Sequence, residues 1–232
     1  MGHRIAYVED DPVILKNYTE ILSDEGFEVT GYQTREEAIA AFREHLPDLA
    51  LLDVSLQGER DAGYQICREL RRLSEDLPII FLTSHDGEIA KISGLRLGAD
   101  DYITKDASID YILVRIETLF RRLEAVREAA VRPDDQAMVL GDLRLDEQFS
   151  RVYWKGVDLT LSLTHYWLVQ ELCDHPGRVR SHRELMKACN IVVEANTITA
   201  HIIAIRKAFT AVDPDFSGIR TERGLGYRWV AD

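Results

Sequence analysis

Short apolar runs alternate with amphipathic stretches through the first half of the chain. The runs Arg4–Val8, Phe27–Gly31, Leu49–Leu52, Ile79–Leu82 and Asp101–Thr104 have the length and composition of buried strands. Between and after them, apolar residues recur at helical spacing over Val13–Asp24, Arg35–His45, Tyr64–Leu73, Glu88–Leu97 and Ile109–Arg122. Five such units predict an α/β domain with a doubly wound sheet of five parallel strands. Asp11-Pro12 suits the start of the first helix. An Asp side chain caps free N–H groups, and Pro at the next position lacks an N–H that would have no partner anyway.

The second half patterns differently. Residues 124–136 (EAVREAAVRPDDQ) read as a helix tail broken at Pro133-Asp134-Asp135. They are expected to link a domain at 1–123 to another at 137–232. In that second domain, strands are expected at Val139–Leu145, Arg151–Trp154 and Val157–Leu159. Helices are expected at Leu163–His175, Ser181–Ala188 and Ala195–Ala211. A hairpin, Gly218–Glu222 with Tyr227–Val230, turns at Arg223-Gly224-Leu225-Gly226. This is an α+β arrangement.

The last helix places Ile198, Ile202, Ile205 and Phe209 on one packed face. Asn196, Thr197, Thr199, Ala200, His201, Ile203, Ala204 and Lys207 fall elsewhere on its circumference. Small and polar residues of this kind suit a helix lying in a major groove. His201 has an equal alternative as a packing residue. Arg206 and Lys207 could meet phosphates, and Arg223 at the hairpin tip suits backbone or minor-groove contact.

Composition constrains these elements further. At 46% apolar, the 232 residues can bury a core. No apolar run approaches the ~20 residues that span a membrane, and the first residues lack the zones of a signal peptide. A cytoplasmic protein is expected. Cys67, Cys173 and Cys189 lack metal-ligand spacing and are read as reduced, buried thiols. The net charge of −12 is unevenly spread. Residues 1–123 hold 14 Lys+Arg against 24 Asp+Glu, whereas 137–232 hold 12 of each. A nucleic-acid surface on the second half would have to be locally basic.

Candidate chemistry lies at the carboxyl end of each apolar run, because ligands of open α/β sheets bind beyond the carboxyl ends of the strands. Glu9 and Asp10 come directly after the first run, Asp53 after the third, Thr83 after the fourth and Lys105 after the fifth. Alone, Asp10 or Asp53 would pass for an ordinary strand end or helix cap. Their joint placement is the signal. Three clustered carboxylates repel unless a cation sits among them, and an all-oxygen set suits Mg²⁺. Asp53 can then act as a nucleophile that forms an acyl phosphate. Lys105 and the Thr83 hydroxyl would hold phosphoryl oxygens.

The segments VEDDP, LLDVSL, FLTS and GADDYITK resemble the receiver domain of bacterial two-component response regulators, over roughly residues 3–122. The resemblance implies a flavodoxin/CheY-like fold. It also implies Asp53 as phosphoacceptor, supplied by a sensor histidine kinase. Glu9, Asp10 and the main-chain carbonyl of Ser55 take the Mg²⁺ positions, and Thr83 with Tyr102 forms a switch pair whose ring turns inward. Two departures flank the pocket. Lys105-Asp106 replaces the usual Lys-Pro. Leu56-Gln57-Gly58 replaces Leu-Pro-Gly, in a loop that runs longer before Gly63.

The segments LTLSLTHYWLV, RSHRELM, NTITAHIIAIRKAF and TERGLGYRW resemble the winged helix-turn-helix of the OmpR/PhoB subfamily, across about residues 138–231. This implies promoter DNA and RNA polymerase as partners, with Thr221 and Arg223 on the wing, and no enzyme acting on small molecules. It implies a homodimer when phosphorylated, through the fourth helix, fifth strand and fifth helix. Asp100, Asp101, Arg115 and Arg122 match its charged positions. Lys91 and Tyr111 occupy a third pair, where Asp110 could substitute for Tyr111. Ile203 and Ala204 stand where basic residues are usual, which predicts a shallow salt dependence. The Lys105-Asp106 loop, GYQICREL and NIVVEANTITAHI resemble a narrower group, the proteobacterial dedicated sortase-system regulators. Two other functions remain: a constitutive DNA binder with a vestigial receiver, and a winged helix that binds protein.

Overall fold

The computed structural model of the chain describes residues 2–84, 87–129, 137–147, 149–188 and 195–230. They fall into two compact units, Met1–Leu113 and Val114–Asp232.

The first unit is built on strands β1 (Arg4–Val8), β2 (Glu28–Tyr32), β3 (Leu49–Leu52), β4 (Ile79–Thr83) and β5 (Asp101–Thr104). Helices α1 (Pro12–Asp24), α2 (Arg35–Glu44), α3 (Ala62–Leu73) and α4 (Glu88–Arg96) connect them, and α5 (Ile109–Ala129) comes last. The division between the units falls inside α5. This helix takes up the first part of the expected linker, while residues 130–136 lie outside the described residues.

All strand pairings in the sheet are parallel, in the order β2-β1-β3-β4-β5. The doubly wound architecture expected from the alternating pattern is therefore present. Every residue of β3 and β4 is buried, as continuous apolar runs covered on both faces require, whereas edge strand β2 is largely exposed. The strand order reverses between β1 and β3, and such a switch point opens a crevice at the strand ends. Register then places the chemistry. Val8 pairs with Leu52, so Glu9 and Asp53 leave neighbouring strands side by side. Thr83 pairs with Thr104, so Lys105 emerges next to the end of β4. At the head of α1, Asp11 caps Val13 and Ile14 N–H at 2.8 and 3.1 Å.

In the second unit a four-stranded antiparallel sheet, β6 (Ala137–Leu140), β7 (Leu143–Asp146), β8 (Arg151–Trp154) and β9 (Val157–Asp158), precedes three helices. These are α6 (Leu163–Cys173), α7 (His182–Ala188) and α8 (Ala195–Val212), and the hairpin β10 (Ile219–Glu222) with β11 (Gly226–Trp229) closes the unit. The single strand expected over Val139–Leu145 is in fact two. The chain reverses at Gly141-Asp142, where Gly141 takes φ 57°, and Leu140 pairs with Leu143. Ile198, Ile202, Ile205 and Phe209 are fully buried in a core with Leu168, Leu172, Leu185 and Trp229. Tyr227 pairs with Arg180 in the loop before α7. A Cβ at Gly226 would lie 2.0 Å from the Arg180 carbonyl oxygen, so only glycine permits that approach.

Candidate functional site

At the sheet edge the structure brings together the carboxylates of Glu9, Asp10 and Asp53. One oxygen from each lies within 4.8 Å of the others. Glu9 is 1% and Asp53 7% exposed. Lys105 Nζ sits between two of them, 2.5 Å from Asp53 Oδ2 and 2.5 Å from Glu9 Oε2. Burial opposes the Lys105 charge, but the two carboxylates outweigh it and hold its pKa above the ordinary lysine value. Burial pushes the Glu9 carboxyl up, against the hydrogen bonds from Lys105 and Tyr7.

The backbone fixes these groups closely. Val54 N–H donates to Asp53 Oδ1 at 2.6 Å, orienting the carboxylate at the end of β3. Gly63 opens α3 directly against this turn, and a Cβ there would lie 2.0 Å from the Asp53 carbonyl oxygen. Asp11 N–H reaches Glu9 Oε1 at 3.3 Å, and Gln57 N–H reaches Asp10 Oδ2 at 2.7 Å. Thr83 is fully buried at the end of β4, and its carbonyl accepts from Lys105 N–H at 2.9 Å. Tyr102 is 3% exposed, with its ring inward and 5.8 Å from that of Phe81. The Ser55 hydroxyl donates to the Arg60 carbonyl at 3.4 Å. The Lys105-Asp106 peptide is trans.

An all-carboxylate set of this spacing fits a hard divalent cation and offers nothing to soft metals. Glu9, Asp10 and Asp53 would hold it. Two groups in the pocket escaped the sequence reading. The Tyr7 hydroxyl donates to Glu9 Oε2 at 2.8 Å, and the Tyr18 hydroxyl reaches the Lys105 carbonyl at 3.5 Å. Tyr7 was legible in principle. It lies two residues before Glu9 on a strand, hence on the same face.

The expected charged dimer face needs correction. Asp100 is 1% exposed, and its carboxylate accepts from Arg71 Nη2 at 2.8 Å and Ile79 N–H at 3.0 Å. Asp101 and Arg115 are 0% and 1% exposed. None of the three reaches the surface. Tyr111 is half-buried, and the side chains of Lys91 and Arg122 lie outside the described residues. The stripe of α5 that is exposed carries Asp110, Val114, Glu117 and Arg121.

The expected nucleic-acid surface also changes. Thr197, Ala200 and His201 are 8%, 1% and 0% exposed, so they face the core and not a groove. The physical reason is that α8 packs against both α6 and α7, which bury more of its circumference than one apolar stripe. His201 Nδ1 lies 3.1 Å from Nε2 of His165 on α6, the rings meeting edge to face. Arg206 is committed to the hairpin. It donates to the Ile219 carbonyl at 2.8 Å and to Thr221 Oγ1 at 2.9 Å, beneath the Tyr227 ring. Thr199 Oγ1 accepts from the Tyr227 hydroxyl at 3.2 Å. Ala204 is half-buried, while Lys207, Thr221 and Arg223 are exposed. The side chain of Asn196 lies outside the described residues.

Comparison with known proteins agrees with both halves. The family model described as a response regulator receiver domain matches residues 5–117, and that described as transcriptional regulatory protein, C terminal, matches 156–229. The transcriptional regulatory protein BaeR of Escherichia coli O6:H1 is 33% identical over 99% of this chain and 93% of its own length. The phosphate regulon regulatory protein PhoB of Rhizobium meliloti is 35% identical over 97% of each chain. Among solved structures, Thermotoga maritima DrrB, an OmpR/PhoB homologue, aligns with a TM-score of 0.50 at 28% identity, covering 99% of this chain and all of its own. A RitR mutant with Ser in place of a cysteine shares the fold at a TM-score of 0.77 and 21% identity, over the whole of both chains. Among the described residues, no helix is long and apolar enough to cross a membrane. This chain belongs to the OmpR/PhoB family of response regulators, with a receiver domain followed by a DNA-binding output domain.

Proposed function

We propose that this response regulator is a transcription factor gated by phosphoryl transfer to Asp53. The observation that carries the reading is Lys105 Nζ, 2.5 Å from both Asp53 and Glu9 at the switch point of the sheet. An Asp53 oxygen attacks the phosphorus of a phosphohistidine on a sensor kinase. The phosphorus–nitrogen bond breaks, and the imidazole leaves with the electron pair. Asp53 is oriented for this by the Val54 N–H, and Lys105 stands where it can turn from the carboxylates to a phosphoryl oxygen. A Mg²⁺ ion held by Glu9, Asp10, Asp53 and the Ser55 carbonyl would neutralise charge on the transferring group. Thr83 would follow the phosphate, with Tyr102 packed behind it.

The output half, 137–232, would then bind promoter DNA as a homodimer and engage RNA polymerase, with 124–136 as linker, in the cytoplasm. Base contacts would come from the outer part of α8, at Thr199, Ala204 and Lys207, and from the wing at Arg223. Association would use the exposed stripe of α5. The test is labelling by a phosphodonor with Mg²⁺, then operator selection with and without beryllofluoride. Wild type should incorporate one phosphoryl group, dimerise and bind DNA more tightly, and Asp53→Ala should do none of these. Equal DNA affinity and dimer fraction in both proteins would instead mark a constitutive binder.

A further inference from the structure

The loop after Asp53 forms a miniature hairpin. Leu56 and Glu59 exchange backbone hydrogen bonds at 3.1 and 2.9 Å. Gln57 and Gly58 turn between them with φ of 51° and 86°. Positive φ at both central residues is the signature of a type I′ turn. Glycine adopts it freely, whereas glutamine does so at a cost, and strain of this kind persists only where surrounding contacts over-determine it. Those contacts are present at both ends. Gln57 N–H donates to Asp10 Oδ2 at 2.7 Å. Glu59 accepts from Arg35 Nη1 at 2.7 Å, and Arg35, at the head of α2, also holds Gln65 of α3 at 2.6 Å. Leu56, 2% exposed, pins the base of the hairpin in the core. A proline at position 57 would be barred twice, by its fixed negative φ and by its missing N–H.

We propose that the Leu56–Glu59 hairpin is a positioning device for the Asp10 carboxylate, with the Gln57 amide as its contact and Arg35 as its anchor, and that it sets the affinity of the pocket for a divalent cation. The inference rests on the reading of Glu9, Asp10 and Asp53 as a cation site. With one oxygen of Asp10 held from outside, the carboxylate is oriented before an ion arrives, as supporting hydrogen bonds orient ligands in other metal sites.

The test is calorimetric titration of Mg²⁺ into the full chain. Wild type should bind one ion, and Asp10→Asn should bind far more weakly. Gln57→Pro should weaken binding about 10-fold. Arg35→Ala should weaken it severalfold with unchanged thermal unfolding, Arg35→Lys should restore part of the loss, and Gln57→Gly should bind at least as tightly as wild type. The amide exchange of Gln57 supplies a readout independent of binding. It should be slow in wild type and fast in Arg35→Ala. If neither wild type nor any variant binds Mg²⁺, or Asp10→Asn binds normally, the cation site itself is wrong. If Asp10→Asn fails while Arg35→Ala and Gln57→Pro match wild type, or if the wild-type Gln57 amide exchanges like an open loop, only the hairpin inference is overturned.

Discussion

The acidic pocket at the sheet edge and the outer surface of α8 illustrate two kinds of site, one set by topology and one by packing. In the pocket, Glu9, Asp53 and Lys105 each come directly after a strand. Once the strands are parallel and paired in register, Glu9, Asp53 and Lys105 have to converge. On α8, a residue's role depends on which neighbours cover the helix. A period of 3.6 identifies a buried stripe, but it does not report how wide that stripe becomes when two helices pack alongside. Asp53 and Lys105 therefore lie where the strand pattern places them, while Ala200, His201 and Arg206 are turned inward or tied down.

The buried charge at the foot of the receiver sheet offers the largest test of this contrast. Asp100 ends the α4–β5 connection and would be read as surface charge from its sequence. It is 1% exposed in an ion pair with Arg71, which also donates to the carbonyls of Gly98 and Leu77. Arg71→Ala should strip a buried carboxylate of its guanidinium and destabilise the receiver by up to about 3–5 kcal/mol. Urea unfolding monitored by far-UV circular dichroism measures this. A loss below about 1 kcal/mol would return Asp100 to the surface, where the sequence pattern places it.

The same distinction governs how much could be read in advance. The sheet and its order of helices were legible because β3 and β4 are continuous apolar runs and the intervening stretches are amphipathic. The Gly141-Asp142 turn was also present in the residues, but Val139–Leu145 contains enough apolar positions to pass for one strand. The Arg71–Asp100 pair spans 29 positions, and no local pattern announces a contact of that kind. Gln57 was visible as a departure from the family, yet its amide contact to Asp10 depends on a backbone conformation that the residue type alone disfavours.

Arg206 and Arg223 sharpen the comparison on the output side. Arg206 is half-buried, and burial lowers its pKa, whereas Arg223 is exposed on the wing. Arg206→Ala should cost about 1.5–3 kcal/mol, the range for hydrogen bonds from a charged group. Tryptophan fluorescence reports it, since Trp154, Trp167 and Trp229 all lie in this half. It should leave the salt slope of DNA binding unchanged. Arg223→Ala should spare stability and reduce that slope by about 1, the amount for one phosphate contact. The reverse pattern would restore Arg206 as a DNA contact.

The smallest effect concerns two of the three thiols, Cys189 lying outside the described residues, and here both halves obey the same rule. Cys67 on α3 and Cys173 on α6 are buried, and burial is the main reason both pKa values are raised. Cys67 rises from 9.0 to about 11, with Arg71 pulling it down and Asp100 pushing it up. The folded state therefore keeps this proton at a pH where the unfolded chain has lost it. That stability is complete below pH 9 and drains away as pH rises toward 11. At pH 9.5 the loss is on the order of 1 kcal/mol for a shift of this size. The difference in unfolding free energy between wild type and Cys67→Ala should narrow by that amount from about pH 8 to about pH 9.5, whatever constant offset the missing sulfur adds. A difference that stays flat would mean that the Cys67 thiol ionises in the native protein as readily as in the unfolded chain. Its environment beside Arg71 and Asp100 would then be polar enough to solvate a thiolate, and the same polarity would weaken the case for a large Arg71→Ala effect.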